Sequence, residues 1–350
     1  MSKALGNLVI GRRGFLHKLA SAGLGSLALP HMAGAQAATP VRFVQQKGLL
    51  YLPLDLMLTG GLLQKEADSL GAGKIEGTTQ QVNGPGAVTD ALLSGAADFG
   101  TIALPGLINM WEKTRGTPNE FRAIGTMSNG PMTLYTINPN VKTIADFTDA
   151  DRIAVPTVKT SFNAIMLQRA AEKLWGEAGA ERLDHLTLQM GPPDAVAAIS
   201  AGFGKAAITA HITTEPFTSR ALKVPGARAI LDSHEVFGGF LTQICLVATR
   251  RFKEANPAVF KAVGAALEES IKAANADKRA AVTLWKDVQK ASEPVDDLLA
   301  NVSDPRFAYT SEPQRVQHLT DFLRRRGRLK APIESWKDLF WETAHHMKGT

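Results

Sequence analysis

Residues 84–91 have the sequence GPGAVTDA, and residues 191–198 have the sequence GPPDAVAA. Each stretch follows a predicted strand and begins a segment with helical character. Each also has proline where the first turn of a helix tolerates it. Two copies of a strand, a proline-marked turn and a helix indicate two lobes built on the same plan.

The rest of the chain alternates short apolar runs with helix-like segments from Val41 onward. We predict strands at 41–44, 74–82, 98–102, 123–127, 132–137, 152–156, 186–190, 206–210, 229–231 and 241–248. We predict helices at 53–66, 87–93, 105–113, 162–175, 193–200, 216–222, 257–273, 276–290, 313–326 and 336–347. This alternation is typical of an α/β protein with helices on both faces of each sheet.

The helical tail after residue 248 is too long for a linker and is expected to pack on the first lobe. The chain would then cross between lobes twice, near Ile137 and near Gly239. Lobe 1 would comprise residues 38–137 plus 240–350, and lobe 2 residues 138–239. Two connecting segments of this kind form a two-strand hinge over a cleft.

Residues 1–37 have the pattern of a signal peptide. Residues 11–16 (GRRGFL) place two arginines before an apolar pair, a soft apolar stretch follows at 19–29, and residues 35–37 (AQA) form a small-x-small cleavage signal. This pattern predicts twin-arginine export, with an ordinary Sec leader as the alternative. Either route implies a periplasmic, soluble protein. Because no cysteine lies at the end of the leader, no lipid anchor is expected.

The positive charge of the chain comes mostly from that leader. The whole chain has 39 bases and 33 acids, a net charge of +6. Residues 1–37 contain Lys3, Arg12, Arg13 and Lys18 and no acid, so 35 bases against 33 acids remain, or +2. A nearly neutral protein predicts no nucleic-acid or membrane partner. The basic run at 324–328 (RRRGR) is either a solvated helix end or a contact surface.

In open α/β sheets, ligands lie beyond the carboxyl ends of the strands, where helix N-termini attract anions. Several residues at the turns after the predicted strands also have a purely structural explanation. Thr160 and Ser161 are typical helix N-cap residues, Lys159 is typical of a solvent-exposed position, and His211 is typical of a buried structural residue. The candidate ligand-binding residues at these turns are Gln46, Asn83, Gly84, Gly86, Thr101, Ser128, Asn129, Lys159, Thr160, Ser161, Phe162, His211 and Thr213.

Signatures of catalysis are absent or weak in the sequence. It contains no Gly-x-Ser-x-Gly, P-loop or His-Glu-x-x-His motif. His345 and His346 lie in the C-terminal tail without convergent cysteines or acids, which does not favour a metal site. The single cysteine, Cys245, lies in an apolar run, which predicts a small core residue. We therefore predict no catalytic residue, no metal and no cofactor.

Several stretches resemble the solute-binding proteins of ABC importers in the nitrate/sulfonate/taurine (NitT/TauT) family. They are 91–100 (ALLSGAADFG), 138–147 (NPNVKTIADF), 151–156 (DRIAVP), 208–211 (ITAH), 303–305 (SDP) and 335–340 (SWKDLF). The resemblance covers about residues 41–342. It implies a type II periplasmic binding fold that closes on a small solute and delivers it to an ABC permease in the inner membrane.

Carried over by position, the resemblance adds Ala87, Gly238 and Gly239 to the candidate ligand residues. Tyr51, Phe162 and His211 would supply flat contacts to the solute. The family's glycine- or serine-rich turn is here residues 83–86 (NGPG), and Pro85 removes one backbone donor from it. No arginine lies at a predicted turn where it could grip an anion in bidentate fashion.

We therefore expect a monomeric solute-binding protein for a small anionic or polar organic solute of the sulfonate, nitrate or taurine class. The alternatives are an enzyme on the same fold, similar to the pyrimidine-precursor synthases, and a ligand-sensing partner of a membrane receptor.

Overall fold

The computed structural model describes residues 38–350. The predicted signal peptide, residues 1–37, lies outside the described residues. The described chain alternates strands and helices as the sequence predicts, and its strands form two separate sheets. Among residues 38–350, no helix is both long enough and apolar enough to cross a membrane.

The strands are short, and most of them lie where an apolar or β-branched run occurs. They are β1 (Thr39–Gln45), β2 (Ile75–Gln81), β3 (Phe99–Ala103), β4 (Phe121–Asn129), β5 (Thr133–Thr136), β6 (Ile153–Val155), β7 (Thr187–Gln189), β8 (Ala210–Thr213), β9 (Arg228–Asp232), β10 (Ile244–Thr249) and β11 (Ala308–Tyr309).

The α-helices fill the intervals and the C-terminal part of the chain. They are α1 (Leu52–Thr59), α2 (Leu62–Ser69), α3 (Pro85–Ser94), α4 (Leu104–Thr114), α5 (Phe162–Trp175), α6 (Pro192–Ile199), α7 (Phe217–Leu222), α8 (Ser233–Phe237), α9 (Arg250–Ala255), α10 (Pro257–Ala276), α11 (Lys278–Gln289), α12 (Val295–Ser303) and α13 (Val316–Arg325).

Lobe 1 is the six-stranded sheet, in the order β11-β4-β10-β3-β1-β2, with its helices. Strand β1 is parallel to β2 and β3, whereas β10 lies antiparallel between β3 and β4. Helix α10 packs on α1 and α2 over one face, and α13 packs with α4 on the other. Because β10, β11 and the C-terminal helices come from the end of the chain, lobe 1 is discontinuous in sequence.

Lobe 2 is the five-stranded sheet, in the order β7-β6-β8-β5-β9, with its helices. Strand β6 is parallel to β7 and β8, and β5 lies antiparallel between β8 and β9. The antiparallel strand therefore occupies the same place in both sheets, which gives the two lobes one architecture.

The two connections between the lobes lie at residues 130–132 and 238–243. The sequence prediction placed the first crossing near Ile137 and assigned residues 133–137 to lobe 1. The structure instead pairs β5 with β8 and β9, so the chain has already entered lobe 2 at Thr133. The prediction failed because an apolar strand gives no sign of which sheet it joins.

Three predicted elements differ most from the structure. The helix predicted at 53–66 is two helices, since Gly61 adopts a left-handed conformation (φ +73°) between them. The strand predicted at 206–210 is found at Ala210–Thr213, because the ladders with β5 and β6 begin at Ala210. The helix predicted at 336–347 is two 3₁₀ turns, the first closed by a capping box between Ser335 and Asp338.

Candidate functional site

A cavity of about 310 Å³ lies between the two lobes. It is formed by the carboxyl ends of β1, β3 and β8 and by the N-terminal turns of α3, α4, α5 and α6. This is where an open α/β sheet places its ligand site, and the volume is near the lower end of small-molecule pockets.

Lobe 1 supplies the apolar part of the cavity wall. Leu50 and Tyr51 follow β1, and Ile102 and Ile244 come from adjacent strands of the same sheet. Burial raises the pKa of the Tyr51 hydroxyl well above its usual value, so this phenol stays neutral at physiological pH.

Lobe 2 supplies a polar wall around the start of α5. The Ser161 side chain caps this helix: its Oγ accepts from Ala164 N–H at 3.3 Å and donates to Thr157 O at 2.7 Å. Asn163 Nδ2 donates to Ile212 O at 2.7 Å, which fixes the side chain against the end of β8. Thr213 follows directly, and only 1% of it is exposed.

The charged side chains of the cavity lie at its mouth. Lys47, Asp90 and Lys113 line it and are exposed to solvent. Two cations against one anion give the mouth a positive balance, which favours entry of an anionic solute over a cationic one.

The two lobes contact each other around the cavity. At one edge, a Cβ placed on Gly191 would lie 3.0 Å from Asn83 O, so these backbones touch across the cleft. At a second edge, Arg220 of α7 forms a bidentate ion pair with Glu293 of lobe 1. At a third, Arg328 donates to Lys159 O at 2.8 Å and to Gln168 Oε1 at 2.9 Å.

The basic run at 324–328 therefore is a contact surface within the chain. Arg325 pairs with Glu172, and both Arg326 and Arg328 pair with Glu181. These pairs join the end of α13 to lobe 2. The other prediction for this run, a solvated helix end, describes the exposed Arg324 and Arg325 but not the half-buried Arg326 and Arg328.

Eight of the seventeen predicted ligand residues line the cavity. They are Gln46, Tyr51, Asn83, Gly86, Thr160, Ser161, Phe162 and Thr213.

In lobe 1, five predicted residues lie outside the cavity wall. Gly84 is the extended N-cap of α3, and Ala87 lies on the exposed side of the first turn of that helix. Thr101 is fully buried within β3, because that strand continues to Ala103 before α4 begins. Ser128 and Asn129 are still within β4. Ser128 Oγ donates to Leu50 O at 2.7 Å, and Asn129 Nδ2 donates to Gln314 Oε1 at 2.9 Å.

Four further predicted residues, in lobe 2 and the second connection, also lie outside the cavity wall. Lys159 has a left-handed backbone (φ +64°) and is exposed outside the cavity. His211 is fully buried inside β8, where Nδ1 lies 2.8 Å from the Tyr135 hydroxyl. Gly238 caps α8 with φ +74°, and Gly239 has φ +124°; both pack against the Arg315 guanidinium.

The sequence argument missed several polar residues of the cavity, among them Asn109, Asn163 and Gln243. Asn109 and Lys113 lie one and two turns after Pro105 on α4, so helical spacing from that proline identifies the face that lines the cavity. Gln243 lies in the second connection, where no motif marks it.

Within residues 38–350, no group of three His, Cys, Asp or Glu side chains is close enough together to hold a metal ion.

The model of the NMT1/THI5-like family matches residues 75–281, more than half of the chain. The chain belongs to the NMT1/THI5-like family. A comparison with curated proteins finds no match.

Solved structures with similar folds cover most of the chain. The periplasmic aliphatic sulphonate binding protein SsuA of Escherichia coli is 18% identical; the match covers 89% of this chain and 100% of that one, with a TM-score of 0.63. The periplasmic nitrate-binding protein NrtA of Synechocystis PCC 6803 is 16% identical, with coverages of 87% and 85% and a TM-score of 0.68.

The Candida albicans CA3427 gene product, described as having the generic periplasmic binding protein fold, is 14% identical. The match covers 87% of this chain and 96% of that one, with a TM-score of 0.63. The expected fold, two α/β lobes of the periplasmic binding type, is thereby confirmed. The resemblance to the nitrate/sulfonate/taurine group is confirmed by the family model and by SsuA and NrtA.

Proposed function

We propose that this chain is the solute-binding subunit of an ABC importer. It captures one small anionic or polar organic solute in the cavity between its lobes and delivers that solute to a permease in the inner membrane. It works outside the cytoplasm as a monomer, exported by the leader at residues 1–37.

The observation that carries this proposal is the position of the cavity between two lobes of like architecture. Lys47, Leu50 and Tyr51 approach it from lobe 1, and Phe162 and Thr213 approach it from lobe 2. A solute that touches both walls is bound more tightly when the lobes are together than when they are apart. Binding therefore favours closure, and a permease can distinguish the closed form from the open one.

The similarity to SsuA and NrtA supports solute capture outside the cytoplasm, since those proteins are a periplasmic sulphonate-binding and a periplasmic nitrate-binding protein. Catalysis on the same fold is the alternative. A reactive imidazole would have to reach the solute. In the described part of the chain the cavity wall contains no histidine, and its two lysines stand at the exposed mouth. We therefore propose a binding protein rather than an enzyme.

A thermal-shift screen of the purified chain tests solute capture. Sulfonates, nitrate, carboxylates and pyrimidines are added singly, and a bound solute raises Tm in proportion to the logarithm of its concentration above Kd. A saturable shift from any of these solutes supports the proposal. A flat Tm across the whole screen contradicts it.

Delivery requires a second measurement, because a ligand-sensing partner of a membrane receptor would bind solute equally well. The loaded chain is added to proteoliposomes that contain the permease and the ATPase of a candidate ABC importer. ATP-dependent uptake of the solute supports import. Binding of the loaded chain to a sensor kinase, with no uptake, supports the receptor role instead.

A further inference from the structure

A second cavity, of about 360 Å³, also lies between the lobes and shares no lining residue with the solute cavity. Lobe 2 contributes β9, α8 and the residues at and just before the start of α7 to its wall. Lobe 1 contributes the end of α12 and the segment that follows it. A volume of this size suits a small organic molecule rather than a bare ion.

Carboxylates dominate the charged groups of this second cavity. Glu215, Asp232, Glu235 and Asp304 line it, together with the cation Arg306. Arg306 forms ion pairs with Asp232 at 3.0 Å and with Asp304 at 2.6 Å. Within residues 38–350, Glu215 and Glu235 form no ion pair with a Lys, Arg or His side chain. The second cavity therefore has an excess of negative charge, whereas the mouth of the solute cavity has a positive balance.

Glu215 carries its charge in a half-buried position at the boundary of the two lobes. Its Oε2 accepts from Ser219 N–H at 3.1 Å, and its backbone oxygen accepts from Leu49 N–H of lobe 1 at 3.2 Å. Burial raises the pKa of the Glu215 carboxyl group above its usual value. A cation bound beside this carboxylate would favour its charged form and replace the water that burial removes.

An independent feature of the same wall is a hydroxyl group without a partner. Thr218 lies on α7 and lines the second cavity, and only 5% of it is exposed. Its Oγ1 has no hydrogen-bond partner within residues 38–350. A buried hydroxyl without a partner costs free energy in the empty protein. Because a hydroxyl accepts as well as donates, the N–H group of a bound cation would satisfy it.

Asn301 of α12 offers an acceptor from the opposite lobe. Its Oδ1 accepts from Ser219 Oγ at 3.2 Å, and its Nδ2 has no partner among the described residues. The Ser219 hydroxyl can donate or accept, so the amide can turn over and keep this bond through Nδ2. The amide oxygen is then free to accept from a bound ligand.

Apolar side chains separate these polar groups. Leu222, Ile230 and Leu231 line the second cavity, and 40% of Leu222 is exposed. A ligand with a charged head and a short hydrocarbon body would cover this apolar surface.

We propose that the second cavity binds a small organic ammonium ion. Its N–H groups donate to the Glu215 carboxylate and the Thr218 hydroxyl of lobe 2, and Asn301 accepts from lobe 1. Its hydrocarbon body lies against Leu222 and Leu231. A ligand that touches both α7 and α12 holds the two lobes together. The proposal goes beyond the proposed function, since it assigns a second ligand, a cation, to a different site.

Isothermal titration of the full chain with butylamine, a primary ammonium ion at pH 7, tests the charge preference. Butan-1-ol is the matched probe, with the same alkyl chain and no charge. The proposal predicts saturable binding of one butylamine per chain. It predicts at least about tenfold weaker binding of butan-1-ol, the weight of one charged hydrogen bond. Equal affinities, or no binding of butylamine, would overturn the proposal.

The variants Glu215→Gln and Thr218→Val locate the bound amine. Glu215→Gln keeps an acceptor for Ser219 N–H and removes the charge, and Thr218→Val keeps the shape and removes the hydroxyl. Each should raise Kd for butylamine about tenfold without lowering Tm of the free protein. Thr218→Ser should restore the affinity. Unchanged butylamine binding in Glu215→Gln would overturn the proposal.

Asp90→Asn is the matched control, because Asp90 is the carboxylate at the mouth of the solute cavity. It makes the same charge change as Glu215→Gln and should bind butylamine as the unaltered chain does. An equal loss of affinity in both variants would show that the amine does not recognise the second cavity, and would overturn the proposal. Solute capture is decided separately by the thermal-shift screen.

Discussion

Gln243 in the second connection accepts a hydrogen bond through Oε1 from Gly130 N–H in the first, at 2.8 Å. The Gln243 backbone N–H also donates to Asn129 Oδ1 at 3.0 Å. These two bonds join both connections at the hinge. Gln243 also lines the cavity, so one residue links the hinge to the solute site.

Replacing Gln243 with Glu separates these two roles. A glutamate can still accept from Gly130 N–H, so the hinge bond and the fold should persist. Its second oxygen replaces the amide N–H groups with a negative charge at the cavity wall, and an anionic solute should therefore bind at least about tenfold more weakly. Titration with the tightest solute found in the screen measures the change.

Gln189→Glu is the matched control, because Gln189 is exposed on the edge strand β7 and outside the cavity. It makes the same charge change and should bind the solute as the unaltered chain does. Equal affinities for Gln243→Glu and Gln189→Glu would show that Gln243 does not face the solute.

The ion pair between Arg220 and Glu293 should favour closure of the lobes. Glu293 is buried, and Arg220 is the side chain from the opposite lobe that pairs with it. Arg220→Met leaves this carboxylate without its guanidinium when the lobes are together, which favours the open form. The apparent Kd should rise about three- to tenfold through faster dissociation, because a smaller fraction of the protein is closed.

The Arg279→Met variant provides the comparison, since the Arg279–Asp296 pair is exposed and lies within lobe 1. It should leave the solute dissociation rate unchanged. An unchanged dissociation rate in Arg220→Met would mean that this ion pair does not contribute to closure.

Asp55 should make the chain less stable as the pH rises from about 4 to 6. The carboxyl group lies inside lobe 1, with Gln45 Nε2 at 2.6 Å and Gln289 Nε2 at 2.7 Å as donors, and no cation of residues 38–350 pairs with it. Burial raises its pKa from 3.8 to about 6. The folded chain therefore keeps a proton that the unfolded chain releases, and the resulting loss of stability is complete above the folded pKa.

Urea unfolding of the unaltered chain and of Asp55→Asn at pH 4 and pH 7 measures this effect. Between pH 4 and pH 7, the free energy of unfolding of the unaltered chain should fall by up to about 3 kcal/mol more than that of the variant. A difference between the two proteins that does not change with pH would contradict the raised pKa.

His211 should have the opposite pH dependence. Burial lowers its pKa from 6.5 to about 3, so the unfolded chain takes up the proton first as the pH falls. The folded state therefore loses stability below pH 6.5. His211→Asn has no titrating ring. Between pH 7 and pH 5, the free energy of unfolding of the unaltered chain should fall by up to about 2 kcal/mol more than that of this variant. Parallel losses in the two proteins would show that His211 does not titrate on unfolding.

The sequence predicts an element well where local signals mark both ends. Helix α5 was predicted at residues 162–175 and is found there, because Ser161 caps its start and Gly176, with φ +77°, follows its last residue. Its position at the cleft also followed from the alternation of strands and helices. Ser161, Phe162 and Thr160 were thereby placed correctly on the cavity wall.

The errors come from long-range pairing, which a single sequence does not reveal. The start of β8 is set by its partners β5 and β6, and a shift of four residues turned His211 from a supposed turn residue into a buried strand residue. The same shift makes Thr213 the residue at the end of the strand. Gln243 could not be found because its role depends on two connections that meet only in the folded chain.

The central claim is that the cavity between the lobes binds one solute molecule. Native mass spectrometry of the full chain, mixed with the tightest solute from the screen, tests this claim most directly. The account predicts one solute mass per chain, with a lower bound fraction in Gln243→Glu at the same solute concentration and an unchanged one in Gln189→Glu. No bound mass, several per chain, or equal retention by both variants would contradict it.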